Sequence, residues 1–275
     1  MEHLLSDWPQ IAKKLKDGGH FLLLADYDGT LTPIVSRPEL AELTEEMKQL
    51  LETIRHQSHL IIGVISGRDL RDVKEKVGIE GIIYAGNHGL EIEGPGIKLV
   101  NPVANEMRPV LSIIYRLLSG TLQKVRGVSI ENKGLTLSVH YRQVPEEKTK
   151  EVKSIFDRIV SGAQALGKIR ITTGKKVFEV RPGVDWDKGK ALKLLMKKYG
   201  KGGRNSRLVP IYLGDDRTDE DAFGVVDKYE SGISVFVGEP TQETSARYFL
   251  RSPAEVADFL KILLKTTRGV QMKNE

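Results

Sequence analysis

The chain has 275 residues, a hydrophobic fraction of 40%, a charged fraction of 29% and a formal net charge of +5. This composition is typical of globular proteins in water, and the length allows one large domain or two smaller ones. The absence of cysteine excludes disulfides, thiolate metal sites and a cysteine nucleophile.

The basic residues are spread along the chain, and aromatic residues are few. This pattern argues against nucleic-acid binding, while a mild positive charge favours a small anionic substrate. No apolar stretch approaches the length needed to span a membrane, and residues 1–17 lack the apolar core of a signal peptide. We therefore expect a cytoplasmic protein that binds neither nucleic acid nor membrane.

The N-terminal part of the chain alternates between predicted helices and short apolar runs. In chain order, the pattern predicts a helix at 4–16, a strand at 20–25, a helix after the N-cap Thr44, a strand at 60–65, a helix at 69–76 and a strand at 81–85. Such runs are typical of strands that are buried on both faces. Their alternation with helices predicts a doubly wound parallel sheet of the Rossmann-like, α/β type.

The pattern then changes to helices that are each followed by two strands. A hairpin is predicted at 90–100, then a helix at 104–124, strands at 128–131 and 135–142, a helix at 145–161, and strands at 169–172 and 176–180. This repetition indicates a separate α+β unit with an antiparallel sheet. We predict that this unit, residues 104–183, is inserted between core segments 1–103 and 184–275.

The C-terminal part returns to the α/β pattern. The predicted elements are a helix at 187–199, a loop at 201–205, a strand at 208–213, a helix at 218–226, a strand at 233–237, a helix at 253–264 and a frayed tail at 266–275.

Asp26 and Asp28 follow the first predicted strand directly, at the edge of a parallel sheet where ligands bind. Two neighbouring carboxylates repel each other unless a cation lies between them, and Mg²⁺ is the simplest such ion. A calcium loop would need Gly at its sixth position and Glu at its twelfth, where this chain has Leu31 and Arg37. The sequence therefore predicts a magnesium site.

Other polar residues follow later strands or begin later helices, namely Ser66, Lys188, Asp215, Asp216 and Asp219. Taken singly, Ser66, Asp215 and Asp216 are also explained as helix N-caps, and Lys188 as one of several surface lysines. Taken together they match phosphoryl transfer. This reaction needs a carboxylate nucleophile and a second carboxyl that moves protons. It also needs a cationic group and a hydroxyl that hold the phosphoryl oxygens.

The order of these motifs resembles the haloacid dehalogenase-like superfamily of phosphotransferases. The four matching motifs are Asp26-Tyr27-Asp28-Gly29-Thr30, Ser66, Lys188 and Gly214-Asp215-Asp216 with Asp219. The inserted unit resembles the type C2B cap of that superfamily. Within the core and this cap, the segments at 66–68, 86–89, 140–142 and 178–182 are similar to those of trehalose-6-phosphate phosphatases.

The resemblance implies a role for each matching residue. Asp26 is expected to be the nucleophile and a metal ligand, Asp28 the general acid and then base with its carbonyl on the metal, and Lys188 the cation that neutralises phosphate. Asp215 is expected to bind the metal directly, with Asp219 or Asp216 in support. The residues expected to bind phosphate are Thr30, Ser66, Gly67 and Arg68.

The residues expected to bind the rest of the substrate are Asn87, His88, Glu131, Lys133, Arg142 and Glu179. Paired carboxylates and a lysine suit the recognition of sugar hydroxyls. A solvated hairpin tip explains Glu131, Lys133 and Glu179 equally well, and His140 is also compatible with simple packing.

The resemblance implies a Mg²⁺-dependent phosphatase that converts trehalose 6-phosphate to trehalose and phosphate through an aspartyl-phosphate. Alternatives are a phosphatase of sucrose phosphate or a glycosyl-phosphoglycerate, a phosphomutase, or a non-catalytic sugar-phosphate sensor. A sensor would be expected to lack Asp26, Asp28 or Lys188, and all three are present. A separate trehalose-phosphate synthase is the expected functional partner.

Overall fold

A computed structural model describes residues 1–15, 19–35, 37–174, 176–200, 207–240 and 243–271. The protein divides into two compact units, Met1–Lys98 with Trp186–Glu275, and Leu99–Asp185. The domain limits predicted at 103/104 and 183/184 stay a prediction. Near the first of them, a short helix at Pro102–Glu106 packs against the following helix of the second unit.

Strands and helices together account for most of the described chain. The strands are β1 (Glu2–His3), β2 (Gly19–Ala25), β3 (Leu60–Ile65), β4 (Ile83–Gly86), β5 (Glu91–Gly94), β6 (Ile97–Val100), β7 (Ser129–Asn132), β8 (Leu137–His140), β9 (Ile169–Gly174), β10 (Val177–Pro182), β11 (Arg207–Gly214), β12 (Ile233–Val237) and β13 (Tyr248–Leu250). The helices are α1 (Leu4–Leu15), α2 (Glu45–Arg55), α3 (Leu70–Val77), α4 (Pro102–Glu106), α5 (Arg108–Leu122), α6 (Glu146–Ala165), α7 (Lys188–Tyr199), α8 (Glu220–Val226) and α9 (Pro253–Gln271).

The first unit is built on a sheet in which the described strands follow the order β1-β13-β12-β11-β2-β3-β4-β5-β6. Neighbouring strands from β1 to β4 in this order run parallel, and β5 is antiparallel to β4. Strand β2 lies inside the sheet, and its Leu22, Leu23 and Leu24 are buried. The predicted α/β parallel sheet is therefore confirmed.

Polar N-caps fix where the helices of this unit begin. The predicted cap Thr44 is confirmed, because its hydroxyl accepts a hydrogen bond from the Met47 N–H at 3.2 Å. Asp69 caps α3 and Asp187 caps α7 in the same way. Each cap satisfies an N–H group that has no partner inside its helix.

The second unit is a four-stranded antiparallel sheet of described strands in the order β7-β8-β10-β9. Helices α5 and α6 pack on one face of it around a core that includes Leu137, Phe156 and Val180. Alternate residues point to the opposite face, which is polar along much of its length.

Several element predictions were wrong. The single helix expected at 104–124 is divided at Met107 into α4 and α5. Strands β1 and β13 were not predicted, because they span only two and three residues. The expected tail from 266 onward is helical to Gln271. The loop predicted at 201–205 and residues 272–275 lie outside the described residues.

Among the described residues, no helix combines the length and apolar character needed to cross a lipid bilayer.

Candidate active site

The carboxyl ends of β2 and β11 bring the predicted acidic residues together. The two strands pair in parallel with Ala25 opposite Leu213, so that Asp26 and the 214–216 turn follow neighbouring strand ends. Asp26 is 6% exposed, and its Oδ1 accepts a hydrogen bond from the Tyr27 N–H at 2.7 Å. This is the sheet edge at which ligands bind in open α/β folds.

Lys188 lies at the start of α7 and is 1% exposed. Its Nζ donates to Asp26 Oδ2 and to Asp219 Oδ1, both at 2.8 Å. Burial by itself would lower the pKa of Lys188, but Asp219 and Asp26 raise it well above its ordinary value. The surface-lysine explanation therefore does not apply, and Lys188 is a buried cation held between two carboxylates.

Asp219 is fully buried and receives four hydrogen bonds from described residues. Its Oδ1 accepts from Lys188 at 2.8 Å and from the Tyr212 hydroxyl at 2.6 Å. Its Oδ2 accepts from the N–H groups of Asp215 and Asp216, both at 3.1 Å. A carboxylate has about four lone-pair sites, so protein donors already occupy those of Asp219. These contacts favour a supporting role for Asp219.

Asp215 lies against the turn that follows Asp28. Its Oδ1 accepts a hydrogen bond from the Thr30 hydroxyl at 3.2 Å. Gly29 has φ of +84°, and a Cβ there would lie 2.1 Å from Asp215 Oδ2, so only glycine fits this approach.

The site carries more negative charge than its lysine can balance. Burial raises the pKa of Asp26 well above its ordinary value; Lys188 opposes this shift, and the neighbouring aspartates add to it. Burial, with Asp219 and Asp216, raises the pKa of Asp215 to about 7. A divalent cation would relieve this excess charge.

Carboxylate oxygens of Asp26, Asp216 and Asp219 lie within 4.8 Å of one another, a spacing that a metal ion could bridge. Because Asp219 is saturated by protein donors, Asp26 and Asp216 are the more accessible members of this group. The donor set is all oxygen, which fits a hard cation such as Mg²⁺. The predicted direct role of Asp215 and of the Asp28 carbonyl stays a prediction.

Asp28 points its carboxylate to Arg68. Nε and Nη2 of Arg68 donate to the two carboxylate oxygens, each at 2.7 Å. Arg68 thus lies near the acidic site as predicted, but its fork of N–H groups is occupied by Asp28.

Ser66 follows β3 and is buried. Its hydroxyl accepts from the Arg68 N–H at 3.1 Å, and the N-cap of α3 is Asp69, so Ser66 is not the helix cap.

Asn87 and His88 brace the 66–68 turn from the next strand end. Their N–H groups donate to Arg68 O at 2.6 Å and to Ser66 O at 2.8 Å. Both residues have positive φ, 50° and 57°, which is uncommon outside glycine and is often found at functional sites. A Cβ at Gly67 would lie 2.9 Å from the His88 ring. The predicted substrate residues Asn87 and His88 thus also shape the predicted phosphate-binding turn.

The second unit gathers its own predicted substrate residues on the polar face of its sheet. Strand pairing places Glu131, Ser138, Glu179 and Thr172 in one row across four strands. Lys133 Nζ and His140 Nε2 lie 3.7 Å and 3.6 Å from Glu131 Oε2. Thr172 donates to Glu179 at 3.2 Å. The row brings carboxylates and hydroxyls together on one face of the sheet, and the expected role of Glu131, Lys133 and Glu179 in binding substrate stays a prediction.

Arg142 lies beyond the end of β8 and is exposed. It is therefore not part of this row.

Two residues that the sequence did not single out belong to the site of the first unit. Tyr212 carries a hydroxyl within the apolar run of β11, and this contrast could have identified it from the sequence as a candidate site residue. Asp72 follows Arg68 by four residues and accepts from its Nη1 at 2.7 Å, a spacing typical of helical ion pairs.

Comparison with known proteins identifies relatives that cover most of the chain. The family model described as trehalose-phosphatase matches residues 24–254. The chain is 37% identical over 273 residues to the probable trehalose-phosphate phosphatase 3 of Oryza sativa subsp. japonica, covering 94% of this chain and 73% of that protein. It is 38% identical over 259 residues to the trehalose 6-phosphate phosphatase RA3 of Zea mays, covering 90% of this chain and 70% of that protein.

The fold is also similar to a solved structure, the C-terminal domain of the C. albicans trehalose-6-phosphate phosphatase. The TM-score is 0.75 at 26% identity, and the match covers 93% of this chain and 96% of that one. The family model and the two plant relatives each span most of this chain. The chain therefore belongs to the trehalose-phosphatase family.

Proposed function

We propose that this protein hydrolyses trehalose 6-phosphate to trehalose and inorganic phosphate. The observation that carries the proposal is the buried Lys188, which joins Asp26 to Asp219 at the strand ends of a chain from the trehalose-phosphatase family. A cation beside a buried carboxylate suits attack on a phosphate ester, because it offsets the charge that the phosphoryl group brings.

In the proposed reaction, an oxygen of Asp26 attacks phosphorus. The bond between phosphorus and the sugar oxygen breaks, and its electron pair leaves with that oxygen. Asp28 donates a proton to the leaving oxygen and then takes one from the water that attacks the aspartyl-phosphate. This second step releases phosphate and restores Asp26.

The remaining residues of the first unit hold the phosphate. Lys188 neutralises its charge, while the hydroxyls of Thr30 and Ser66 and the main chain at Gly67 offer hydrogen bonds. We propose Mg²⁺ as the cation, held by Asp26, Asp215 and the carbonyl of Asp28 with Asp216 and Asp219 in support. When bound, it supplies positive charge that offsets the repulsion between the phosphoryl oxygens and the carboxylates.

The substrate assignment draws further support from the second unit. The row of Glu131, Ser138 and Glu179, with Lys133 beside it, offers acceptors and donors for several hydroxyls of one sugar. We propose that these side chains bind the part of the substrate that carries no phosphate. A separate trehalose-phosphate synthase remains the predicted source of the substrate.

The test is a panel of phosphate esters assayed for phosphate release with Mg²⁺. The panel contains trehalose 6-phosphate, sucrose 6-phosphate, a glycosyl-3-phosphoglycerate and glucose 6-phosphate. We expect kcat/KM for trehalose 6-phosphate to exceed the others by about tenfold or more, since each hydrogen bond that a different sugar fails to make costs about 0.5–1.5 kcal/mol. A higher kcat/KM for another ester would contradict the proposed substrate.

Asp26→Asn should fold normally and lose about a thousandfold or more of kcat, because an amide cannot act as the nucleophile. Asp258→Asn is the matched control, since Asp258 forms a surface ion pair with Lys261 on α9. Near-normal turnover of Asp26→Asn would contradict the nucleophile assignment.

A further inference from the structure

Arg68 uses most of its hydrogen-bonding capacity inside the protein. Its Nε and Nη2 donate to the two oxygens of Asp28, Nη2 also donates to Pro38 O, and Nη1 donates to Asp72 Oδ2, each at 2.7 Å. A guanidinium has five N–H donors, so four of them are engaged. The pair of donors that would bind a phosphoryl group in a bidentate manner, Nε and Nη2, is the pair that binds Asp28.

Arg68 and Asp28 differ in how far their side chains are exposed and in what else holds them. The Arg68 side chain is 9% exposed, whereas that of Asp28 is 42% exposed. Asp72, Pro38 and the Tyr27 ring, whose centroid lies 5.3 Å from the guanidinium carbon, hold Arg68 independently of Asp28. The arginine is therefore held on several sides without Asp28, and the carboxylate of Asp28 is the more exposed partner.

We propose that Arg68 is a positioning residue for Asp28, anchored by Asp72, and not the phosphate ligand that the sequence predicted. This inference rests on the proposed role of Asp28 as the group that exchanges protons with the leaving oxygen. A half-exposed carboxylate on a turn samples several side-chain rotamers, and a bidentate arginine restricts it to one region. Restricting it keeps the acid near the reacting bond, which raises the rate of the chemical step.

The two possible roles of Arg68 differ most clearly in the variant Asp72→Asn. If Arg68 positions Asp28, weakening its anchor loosens Asp28 and lowers kcat. If Arg68 binds phosphate, removing a competing carboxylate frees the guanidinium, so phosphate affinity stays or improves and kcat does not fall. Glu75→Gln is the matched control, because Arg71 and Glu75 form an ion pair of the same spacing and the same 2.7 Å length on the exposed side of α3.

The experiment measures kcat on the preferred sugar phosphate and the dissociation constant of inorganic phosphate by titration calorimetry with Mg²⁺. For Asp72→Asn we expect kcat to fall by about threefold to tenfold while the phosphate dissociation constant stays within about threefold. For Arg68→Lys, which keeps the charge but loses the fork, we expect a loss of about tenfold or more in kcat with the same retained affinity. Glu75→Gln should change neither quantity.

Two results would overturn the proposal. One is a kcat of Asp72→Asn equal to that of the wild type, and the other is phosphate binding weakened by more than about threefold in Arg68→Lys. Circular dichroism establishes that each variant is folded, and Asp72→Asn alone decides if Arg68→Lys does not fold. A failure of the proposed substrate can be distinguished from a failure of this inference. The first would appear in the substrate panel with wild-type protein, whereas the phosphate dissociation constant is measured without any substrate.

Discussion

Asp219 illustrates how one buried carboxylate organises this site. Its two oxygens hold Lys188 and the Tyr212 hydroxyl on one side and the N–H groups of the 215–216 turn on the other. Lys188 and Tyr212 share the same oxygen, Oδ1. Burial and Asp219 raise the pKa of Tyr212 well above its ordinary value, so it is a neutral donor. We therefore expect this tyrosine to help hold Lys188 between Asp219 and Asp26.

Tyr212→Phe should lower kcat as well as stability. Among the described residues, removing the hydroxyl leaves Asp219 Oδ1 with Lys188 as its remaining donor, so we expect the lysine to be drawn toward Asp219 and away from Asp26. A hydrogen bond to a charged group contributes about 1.5–3 kcal/mol, and we expect a loss of stability of that order with a fall in kcat of about tenfold. Urea unfolding and steady-state kinetics measure the two effects.

Tyr84→Phe is the matched control for this prediction. The Tyr84 hydroxyl belongs to a buried side chain and donates at the same 2.6 Å, but to the main-chain oxygen of Ile79. This variant should lose stability and keep its kcat. Equal kcat values in the two phenylalanine variants would show that Tyr212 is structural only.

At the scale of elements, the parallel pairing of β2 and β11 creates the acidic site. Their carboxyl ends bring the buried Asp26 and Asp219 and the half-buried Asp215 together although the first is far from the others in sequence. Each of these carboxyls has a raised pKa, with burial as the largest cause. Without a cation, the folded protein therefore binds protons at this site more tightly than the unfolded chain does.

The raised pKa of Asp215 predicts a pH dependence of stability in metal-free protein. Its value of about 7 in the folded state lies above the ordinary 3.8, so the folded protein holds the proton between these two pH values. Stability from this group therefore falls as the pH rises from about 4 to about 7. In chelator, Asp215→Asn should melt several degrees above wild type at about pH 8, with the difference vanishing near about pH 4.

Thermal melts across this pH range measure the effect. Asp258→Asn is the control, and its melting temperature should differ from that of the wild type by the same amount at every pH. Added Mg²⁺ should raise the melting temperature of wild type more than that of Asp215→Asn. A melting difference that grows toward low pH would contradict the prediction.

At the scale of the whole molecule, the two units have separate cores. The core of the first unit is formed by two separate chain segments, whereas that of the second lies within the continuous segment 99–185. The second core includes the stacked pair Phe156 and Phe178, whose ring centroids are 4.5 Å apart. A continuous segment with its own core is the usual description of an independent domain.

The segment 99–185 should therefore fold when expressed alone. We expect a cooperative thermal transition and the circular dichroism of a mixed α/β fold. Phe156→Ala in the same fragment should abolish the transition, since such a cavity costs about 3–5 kcal/mol, comparable to the stability of a small domain. A random-coil spectrum of the unsubstituted fragment would contradict the prediction.

The elements predicted correctly were those with strong local signals. The apolar runs of β2, β3 and β11 identify buried strands, and the polar residues directly after them identify the sheet edge at which Asp26, Ser66 and Asp215 lie. Thr44 was recognisable as a cap from its position before an amphipathic helix. The missed strands β1 and β13 are too short for a periodic pattern, and their pairing joins segments from opposite ends of the chain.

The helix α9 extends beyond its prediction for a tertiary reason. Thr266 and Thr267 are weak helix formers, and their hydroxyls donate to carbonyls one turn earlier in the same helix, at Ile262 and Leu263. The contact from outside the helix comes from Trp8 of α1, which donates to Thr266. Residue types and their order in the sequence thus determined the α/β class, the sheet edge and the carboxylates placed there. Which donor reaches which oxygen was decided only by the tertiary structure: Lys188 meets Asp26 across 162 residues and Arg68 meets Asp28 across 40. Such contacts depend on how strands and helices pack, and no local pattern encodes that packing.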